Sequence, residues 1–473
     1  MAVVKADCPT CQLVAPVLGE LDRRGLRLAV ASQDDPGFPA GVEVVDDTGL
    51  EWSWALSVDT VPTLVRMKDG VATDRVVGWS RPAWESLTGL VGLGAGLPEQ
   101  RPGCGSLTTE PGVAEALLVR HGAARLAARR VELGELEDEH EALFGRGWTD
   151  GLPVVPPTEA RVLRMLEGTS RRPDEVVAEV PPDLAPCTVE KVAVNAVMAG
   201  CRPEYLPVVL AAVEAACTTE FNIHGVLATT YFAGPVVIVN GPVRTRIGMN
   251  SGVNALGQGS RANSSIGRAL QLVIRNVGGG RPGEVDRATL GNPGKVGFCF
   301  AEDEESSPWE PLAVERGLAE GSSAVTLFAG EGVRGIIDQR SRAPESLARS
   351  FAACLRTVAH PKLALGIDAL LVVSPEHARV FAEAGWTKAR LRRELDELLS
   401  LPVEELAEGE GGMAEGIGRA VADRMAGGRL PKFRPGGLLI AHAGGTAGMF
   451  SAIIGGWVGG PTGSEPVTRE VGS

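Results

Sequence analysis

The sequence predicts an α/β fold in which a small N-terminal domain is followed by a larger, mainly parallel, layered α/β module. Short apolar runs typical of buried strands alternate with amphipathic helical patterns along the chain. A chain of 473 residues is also too long for one ordinary hydrophobic core. The predicted parts are a domain over residues 1–92, a linker with surface helices over 93–145, and a candidate catalytic module over 146–473.

Composition and charge exclude some functions. The formal net charge is −13 and no Lys/Arg block offsets it, so a nucleic-acid partner is not expected. Residues 436–464 carry no charged side chain, but they are rich in glycine and include His442 and Pro461. This favours a buried strand, loop and helix over a membrane span. Eight cysteines are too few for a disulfide scaffold, and Met1 runs directly into a predicted strand, so we expect a cytoplasmic protein without a signal peptide.

The first domain begins with a predicted strand over residues 2–6, followed by a CPTC motif at residues 8–11. An apolar face with helical spacing follows, and further strands are expected at 26–32, 60–67 and 71–78. Cys8 stands where the helix begins, so unpaired N–H groups and the helix dipole favour its thiolate. Cys11 lies one turn further along, close enough to displace a mixed disulfide.

This order of strand, CPTC, helix, a TVPTL segment and a KDG hairpin resembles the thioredoxin superfamily over residues 1 to about 90. The resemblance implies that Cys8 is the attacking thiolate, Cys11 the resolving thiol and Pro62 the cis-proline beside the sulfurs. Asp7 replaces the tryptophan usual before the first cysteine, and Ala2 replaces a buried acid. Both departures favour a dedicated intramolecular role over a general reductase. A zinc-binding pair is the alternative, but neither a second CxxC nor a His pair stands nearby.

The stretch over residues 93–112 is predicted to be an ordered linker because it is rich in Gly and Pro. Cys104 lies within it between two glycines. It is either an incidental exposed thiol or a mobile thiol that can meet either domain. Residues 113–144 are charged and periodic, which indicates one or two surface helices.

The larger module shows short apolar, β-branched or Leu-rich runs typical of buried strands. These predicted strands cover residues 236–240, 296–301, 324–328, 369–373 and 438–441. Helical patterns between them cover 188–199, 203–217 and 265–276, and a further helix opens at 374–376 with a cap, a proline and an early acid.

Parts of this module resemble an uncharacterised bacterial family with GWTDGLPVVPPT, MAGCRPEYLPVVLAAVEA and SPWEPL stretches, here at 147–158, 198–214 and 307–312. That family is loosely related to the UGSC group, named for a selenocysteine or cysteine followed by Gly-Ser-Cys. Cys104-Gly105-Ser106 matches three positions, and Leu107 stands where the last cysteine is expected. The resemblance implies no particular reaction.

Cys201 is the module's leading candidate for thiol chemistry. It precedes Arg202-Pro203 at a predicted helix start, so the dipole and Arg202 are both expected to favour its thiolate. Cys187 precedes another predicted helix and is a weaker candidate. For either cysteine, the alternative is an inert buried residue.

Two glycine-rich junctions predict a small-anion pocket at the strand ends. Residues 257–264 run into the helix at 265, and residues 442–448 follow another predicted strand. The expected ligand-binding residues are Arg261, Asn263, Arg268, Lys295, Gly444, Gly445 and Thr446, with the arginines holding a carboxylate or phosphate. Neither junction matches a dinucleotide fingerprint or a P-loop, so no cofactor is predicted.

Acid–base candidates follow the predicted strand at 296–301. Strand alternation sends Glu302 and Glu304 to one side, where they are either an acid and a base, ligands of a hard cation, or part of a solvated acidic loop. His224 is the leading histidine for proton transfer, with a packed core histidine as the alternative. Ligand spacing typical of a transition-metal site is absent from the sequence, so no metal is predicted.

Together these features predict a thiol-dependent oxidoreductase whose CxxC domain reduces a thiol intermediate or disulfide formed in the module. Cys201 is the leading partner of Cys8 and Cys104 the second. The substrate is expected to be a small anionic metabolite, such as an organosulfur compound. An external thiol or thioredoxin reductase system and a second copy of the chain are further partners considered. The alternatives are a lyase or hydrolase using Glu302, Glu304 or His224, for example for carbon–sulfur cleavage, and a redox-sensing binding protein without turnover.

Overall fold

The computed structural model describes residues 1–122, 126–134, 136–458 and 463–472. The chain divides into two compact units, Met1–Arg125 and Leu126–Ser473. Each unit contains helices, strands and its own hydrophobic cluster, so the α/β character expected from the sequence is present.

The first unit is built on a five-stranded sheet with a parallel and an antiparallel part. Its strands are β1 (Ala2–Val4), β2 (Val30–Ser32), β3 (Val44–Asp46), β4 (Thr60–Val61), β5 (Thr63–Lys68), β6 (Val71–Val77), β7 (Trp79–Ser80), β8 (Gln100–Arg101) and β9 (Cys104–Gly105). Five of them form the sheet in the order β3-β2-β1-β5-β6. The strands β1, β2 and β3 pair in parallel, whereas β5 pairs antiparallel with both β1 and β6.

The helices of this unit are α1 (Pro9–Arg23), α2 (Glu51–Ala55), α3 (Arg81–Thr88) and α4 (Val113–His121). α1 starts at Pro9, where a missing N–H costs no hydrogen bond. The Cys8 side chain caps the helix by accepting from the backbone of Cys11. Apolar residues at helical spacing, including Val14, Leu18 and Leu21, are fully buried against the sheet.

The segment after residue 92, expected to be a linker, contributes structure to the first unit. β8 pairs with β7, and β9 pairs with β4. Gly103 permits this pairing, because a Cβ atom there would lie 2.7 Å from the carbonyl oxygen of Val61. The glycine in this segment therefore allows two strands to approach closely, and the segment is not an unstructured linker.

The second unit is built on a seven-stranded sheet. The strands of this unit are β10 (Val176–Val180), β11 (Ala185–Thr188), β12 (Gly234–Asn240), β13 (Cys299–Ala301), β14 (Ala324–Ile337), β15 (Ala369–Val373), β16 (Leu401–Pro402), β17 (Arg429–Leu430), β18 (Leu438–His442), β19 (Phe450–Gly456) and β20 (Val467–Glu470). The sheet order is β13-β12-β14-β19-β15-β18, and β20 also pairs with β14. Two separate pairs, β10–β11 and β16–β17, complete the strands.

The helices of the second unit lie between these strands. They are α5 (Glu139–Gly145), α6 (Glu159–Leu166), α7 (Val189–Ala199), α8 (Leu206–Ala216), α9 (Ile223–Ala228), α10 (Pro242–Arg246), α11 (Arg261–Asn276), α12 (Leu312–Glu315), α13 (Pro344–Arg356), α14 (Pro375–Glu383), α15 (Lys388–Leu399), α16 (Val403–Leu406) and α17 (Arg419–Arg424). No helix among the described residues is long and apolar enough to cross a membrane.

The prediction of a mainly parallel sheet is wrong. β14 pairs antiparallel with β12, β19 and β20, and β15 pairs antiparallel with β19. Parallel pairing is found in β12–β13 and β15–β18. The error arises because β14 continues through three glycines to Ile337, and because β19 and β20 were not anticipated. At Gly330 a Cβ would lie 2.6 Å from the side chain of Ile454, so glycine serves close strand packing here.

The glycine-rich stretch over 436–464 also differs from its predicted strand, loop and helix. Its described part forms β18, a loop over 443–449 and the strand β19. Pro461 lies outside the described residues. β19 pairs with β14 on one side and with β15 on the other, so it is a central strand of the sheet. Because central strands are mostly buried, this explains why the stretch has no charged side chains.

Six of the seven strands form two similar halves of the sheet. β13-β12-β14 and β18-β15-β19 have the same order, each with one parallel and one antiparallel pairing. The edge strands β13 and β18 meet where they end, because the Asp303 N–H donates to the carbonyl oxygen of His442 over 2.8 Å. One face of this curved sheet buries an apolar cluster consisting mainly of Val236, Ile238, Phe300, Phe328, Leu370, Val372, Leu439, Ala441 and Ile454.

Candidate functional site

The CPTC motif of the first unit holds the Cys8 sulfur at the N-terminus of α1. The Cys11 N–H donates to this sulfur over 3.3 Å. The Cys11 sulfur in turn accepts from the Lys5 N–H over 3.4 Å. Both cysteine side chains are fully buried, so solvent does not compete for these contacts.

Pro62 follows a cis peptide bond with Val61. The Cys8 sulfur lies 3.6 Å from the carbonyl oxygen of Val61. The structure therefore brings Pro62, Cys8 and Cys11 together, at the end of β4 and the start of α1.

Cys104 joins this site, although its sequence context suggested a mobile thiol. It is the residue directly opposite Val61 in the β4–β9 pair, and the carbonyl oxygen of Val61 lies 3.6 Å from the Cys8 sulfur, so Cys104 is close to the motif. The Thr10 hydroxyl donates to the carbonyl oxygen of Pro102 over 2.8 Å, which fixes the preceding turn. Cys104 is only partly buried, so of the three sulfurs it is the one with access to solvent.

A buried glutamine fastens the chain immediately after Cys104. The Gln33 amide donates to the Ser106 hydroxyl over 2.6 Å, and its oxygen accepts from the Leu107 N–H over 3.1 Å. The Ser106 N–H donates to the carbonyl oxygen of Asp59. Cys104 is therefore held in place from both sides.

The three thiols have different protonation preferences. Burial raises the pKa of Cys8, but hydrogen bonds from the Cys104 thiol and from the N–H groups of Cys11 and Thr10 outweigh it and hold the pKa below its usual value. Burial raises the pKa of Cys11 strongly. Burial and the hydrogen bond to Cys8 raise the pKa of Cys104. The arrangement favours a thiolate on Cys8 and thiols on its two neighbours.

The expected activation of Cys201 is wrong. Cys201 lies at the C-terminal end of α7, where its N–H donates to the carbonyl oxygen of Ala196, and this end of a helix carries negative potential. The following helical turn starts only at Pro203 and is a short 3-10 turn. Burial raises the pKa of Cys201 to about 12, against smaller opposing effects of Ser265 and Arg261. Arg202, the residue expected to activate it, is exposed. Burial also raises the pKa of Cys187 to about 12.

Gly257, the first residue of the junction predicted over 257–264, and glycines of the junction predicted over 442–448 line one cavity of about 400 Å³. The lining from these two parts of the chain consists of Asn254, Ala255, Leu256, Gly257, Ala443, Gly444, Gly445, Ala447 and Gly448, and the ends of β15 and β19 complete it. The Gly444 N–H donates to the carbonyl oxygen of Ser251 over 2.9 Å, which ties the two segments together. Gly444 and Gly445 both line the cavity, whereas Thr446 is exposed and is not among the lining residues.

The predicted basic residues do not line this cavity. Arg268 forms a bidentate ion pair with Asp150, with both distances 2.8 Å. Lys295 is paired with Asp286 over 2.7 Å. Arg261 is exposed, and its Nε donates to the carbonyl oxygen of Gly200.

Asn263 is a buried structural residue of the same loop. Its side-chain oxygen accepts from the Asn250 N–H, and its amide donates to the carbonyl oxygen of Asn250. It thus shapes residues 250–260 and does not line the cavity.

Glu302 and Glu304 come close together through Asn240. β13 ends at Ala301, so strand alternation does not extend to them, but the Asn240 amide donates to Glu302 over 2.6 Å and to Glu304 over 2.9 Å. Glu302 is fully buried and also accepts from the N–H groups of Leu312 and His442. Its carboxylate is fully engaged in linking β12, β13 and β18.

Glu304 is likewise tied into the fold. It accepts from the Gly241 N–H over 2.7 Å and from the Arg244 guanidinium over 3.2 Å. His224 is exposed in the first turn of α9, away from a packed core. Over the described ranges, no group of three or more His, Cys, Asp or Glu side chains could hold a metal ion.

Sequence reasoning missed three residues at the cavity. Ser374 and Ser451 line it, and His377 contacts Ser451 through Nδ1 over 2.7 Å. Ser374 was recognised only as a helix cap. The other two are far apart in sequence, and only the antiparallel β15–β19 pairing, which the sequence did not reveal, brings them together.

The buried histidine predicts a pH dependence of stability. Burial holds the pKa of His377 below its usual 6.5, although Asp338 and Glu376 oppose the shift. Since the unfolded chain takes up the proton first, the stabilisation is present above the unfolded pKa and is lost as pH falls through the folded pKa. We expect the urea midpoint of the second unit to fall on acidification from pH ~7.5 to ~5, and less so in His377→Gln. The exposed His224→Gln variant should behave as wild type; an equal fall in all three proteins would contradict the prediction.

Comparison of the chain with protein-family models, with curated proteins and with solved structures found no match.

Proposed function

We propose that the first unit is a thioredoxin-like thiol–disulfide oxidoreductase in which the Cys8 thiolate attacks a mixed disulfide formed on Cys104. The observation that carries the proposal is the surroundings of the Cys8 sulfur, which accepts from the Cys11 N–H over 3.3 Å and lies 3.6 Å from the carbonyl oxygen of Val61, the residue paired with Cys104. The parallel β2–β1 pair, the antiparallel β5–β6 hairpin and the cis bond before Pro62 support the thioredoxin-like fold.

The partial exposure of Cys104 suggests an order of events. Cys8 is fully buried, so a disulfide substrate would meet Cys104 first. Attack by the Cys104 sulfur on a disulfide R–S–S–R forms a mixed disulfide and releases one thiol. The Cys8 thiolate then attacks the Cys104 sulfur, which forms the Cys8–Cys104 disulfide and releases the second thiol.

Cys11 completes the cycle. It loses its proton and attacks the Cys8 sulfur, which leaves a Cys8–Cys11 disulfide and returns Cys104 as a free thiol. Two electrons have then passed from the two cysteines of the CPTC motif to the substrate disulfide. An external dithiol or a thioredoxin reductase system would restore the reduced motif. In this scheme Cys104 takes the role that the sequence assigned first to Cys201.

The second unit is proposed to bind the small metabolite in its glycine-lined cavity. Because Arg268 and Lys295 are engaged elsewhere, backbone N–H groups and hydroxyls, rather than the predicted basic side chains, would bind a polar group of the ligand. The organosulfur metabolite remains the substrate class that would connect this cavity with thiol chemistry.

Removal of the Cys104 thiol tests the oxidoreductase proposal. In Cys104→Ala, reduction of a small aromatic disulfide by the full-length, prereduced chain should slow by about tenfold or more, equivalent to about 1.4 kcal/mol or more of barrier. Thiol release is followed by absorbance. Cys354→Ala is the matched control, because Cys354 is also a partly buried thiol with a raised pKa. Equal rates for Cys104→Ala and wild type would overturn the role of Cys104, and equal rates for Cys8→Ala and wild type would overturn the proposal as a whole.

A further inference from the structure

A serine hydroxyl and a buried histidine form a hydrogen-bonded pair at the cavity of the second unit. Ser451 lines the cavity near the start of β19, and its Oγ lies 2.7 Å from Nδ1 of His377 on α14. Ser451 is 6% exposed and His377 is fully buried. A nucleophile within hydrogen-bond distance of a base is the first requirement for covalent catalysis.

A backbone carbonyl determines which nitrogen of His377 carries the proton. Nε2 lies 3.0 Å from the carbonyl oxygen of Asp338, and this oxygen can only accept a hydrogen bond. Nε2 therefore carries the hydrogen, and Nδ1 presents its lone pair to the Ser451 hydroxyl. The edge of the Phe351 ring packs against the imidazole, with ring centroids 5.3 Å apart, and helps to fix its orientation. The base is thus oriented by a third group, as in catalytic triads.

A backbone N–H donates to the same hydroxyl, and other donors line the same cavity. The Ser374 N–H donates to the Ser451 Oγ over 3.2 Å. Ser374 is 7% exposed and lines the cavity, and its own hydroxyl is buried without a hydrogen-bond partner in the described chain. In the loop after β18, the N–H groups of Gly445 and Ala447 donate to no acceptor among the described residues. Such unengaged donors are what a developing oxyanion needs.

We propose that this cavity is an acyl-transfer site that hydrolyses small carboxylic esters, with Ser451 as the nucleophile and His377 as the general base. A volume of about 400 Å³ lined by Val333, Val372 and Phe450 suits a short apolar acyl chain. This inference concerns the second unit alone and does not rest on the redox chemistry of the first.

The reaction needs no reactant other than the ester and water. The Ser451 oxygen bonds to the ester carbonyl carbon while its proton passes to Nδ1 of His377. The C–O bond to the alcohol then breaks, and the alcohol leaves with that proton. Water attacks the acyl-serine in the same way, which releases the carboxylic acid and restores the hydroxyl.

The test uses the full chain carrying Cys8→Ser, so that the CPTC thiolate cannot react with the reagents. An alkyl fluorophosphonate should modify Ser451, as mapped by peptide mass, and p-nitrophenyl acetate should be hydrolysed. In Ser451→Ala and in His377→Gln the hydrolysis should fall by about 100-fold or more. Ser265→Ala is the matched control, because Ser265 is a buried, hydrogen-bonded serine of the same unit outside the cavity.

Two results would overturn the proposal: a fluorophosphonate adduct absent from Ser451 in the folded protein, or hydrolysis by Ser451→Ala at the rate of the Ser265→Ala control. If Ser451→Ala does not fold, Ser451→Cys keeps the size of the side chain and replaces it. The thiol introduced by this substitution should react with iodoacetamide faster than Cys354 does, because His377 activates it. If the introduced thiol reacts more slowly than Cys354, the proposal is also overturned.

Discussion

A Cys11→Ser variant of the full chain, oxidised with diamide, is expected to accumulate a disulfide between Cys8 and Cys104. The β4–β9 pairing places Cys104 opposite Val61, and the Cys8 sulfur lies 3.6 Å from the carbonyl oxygen of Val61, so the two cysteines are neighbours of the same residue. Without the Cys11 sulfur, the disulfide has no resolving thiol within the group of three. Most of the protein should therefore carry this linkage, identified as one cross-linked peptide pair after non-reducing digestion.

Two variants control this experiment. Wild-type protein treated in the same way should carry the Cys8–Cys11 disulfide, because Cys11 is the better-placed final partner one helical turn away. Cys11→Ser/Cys104→Ser should yield only disulfides between Cys8 and an added thiol. If the Cys11→Ser variant instead joins Cys8 to Cys201, the partner first expected from sequence is the correct one; if it joins Cys8 only to external thiols, the internal exchange proposed here does not occur.

Local chemistry was the part of this protein that sequence predicted best. The helix after the CPTC motif and the strand over 369–373 follow from the order of residues nearby. Each depends on interactions within a few positions, such as a cap or a short apolar run. The cis-proline was expected from the resemblance, and the Val61–Pro62 bond is cis. The start of its own helix explains only part of the lowered pKa of Cys8, because Cys104 also lowers it.

The predictions that failed concern features that depend on contacts between segments far apart in the sequence. Cys201 stands before a proline and looks like the start of a helix, but the preceding α7 and the packing of α11 determine its burial and raise its pKa. Cys104 looks like a linker residue, and only its pairing with Val61 places it beside Cys8. Gly330 lies just beyond the predicted end of the strand over 324–328, and it is a site of close packing between β14 and β19.

At the candidate ligand site, too, some features were predictable from the sequence and others were not. The second glycine-rich junction lines the cavity, whereas only Gly257 of the junction predicted over 257–264 reaches it. The charged side chains near them in sequence were not predictable as ligand groups, because each finds a partner elsewhere: Asp150 for Arg268 and Asp286 for Lys295. A charged side chain in a folded protein often forms an ion pair with another buried group. The residues near it in sequence do not show which group that is.

Removal of the Glu302 carboxylate is expected to produce the largest loss of stability in the second unit. Glu302 is fully buried, and its oxygens accept from the Asn240 amide and the N–H groups of Leu312 and His442. The buried ammonium group of Lys388 lies 3.8 Å away. In Glu302→Ala these donors lose their acceptor, and the edge strands β13 and β18 lose one of their links. A buried donor left without an acceptor costs about 1–3 kcal/mol, so we expect a loss of several kcal/mol.

The cost can be measured from urea denaturation followed by hydrogen exchange in peptides of the second unit. Glu305→Ala is the matched control: it removes a carboxylate from the same loop, but Glu305 is largely exposed, and its ion pair with Arg244 should contribute less than about 1 kcal/mol. The double variant Glu302→Ala/Lys388→Met should recover none of the loss, because without Glu302 the Lys388 ammonium keeps its ion pair with Glu315 over 3.4 Å and its hydrogen bond to the Glu310 carbonyl oxygen. If Glu302→Ala is as stable as Glu305→Ala, the carboxylate does not hold the sheet together, and the acid–base role suggested by its sequence position becomes the better explanation.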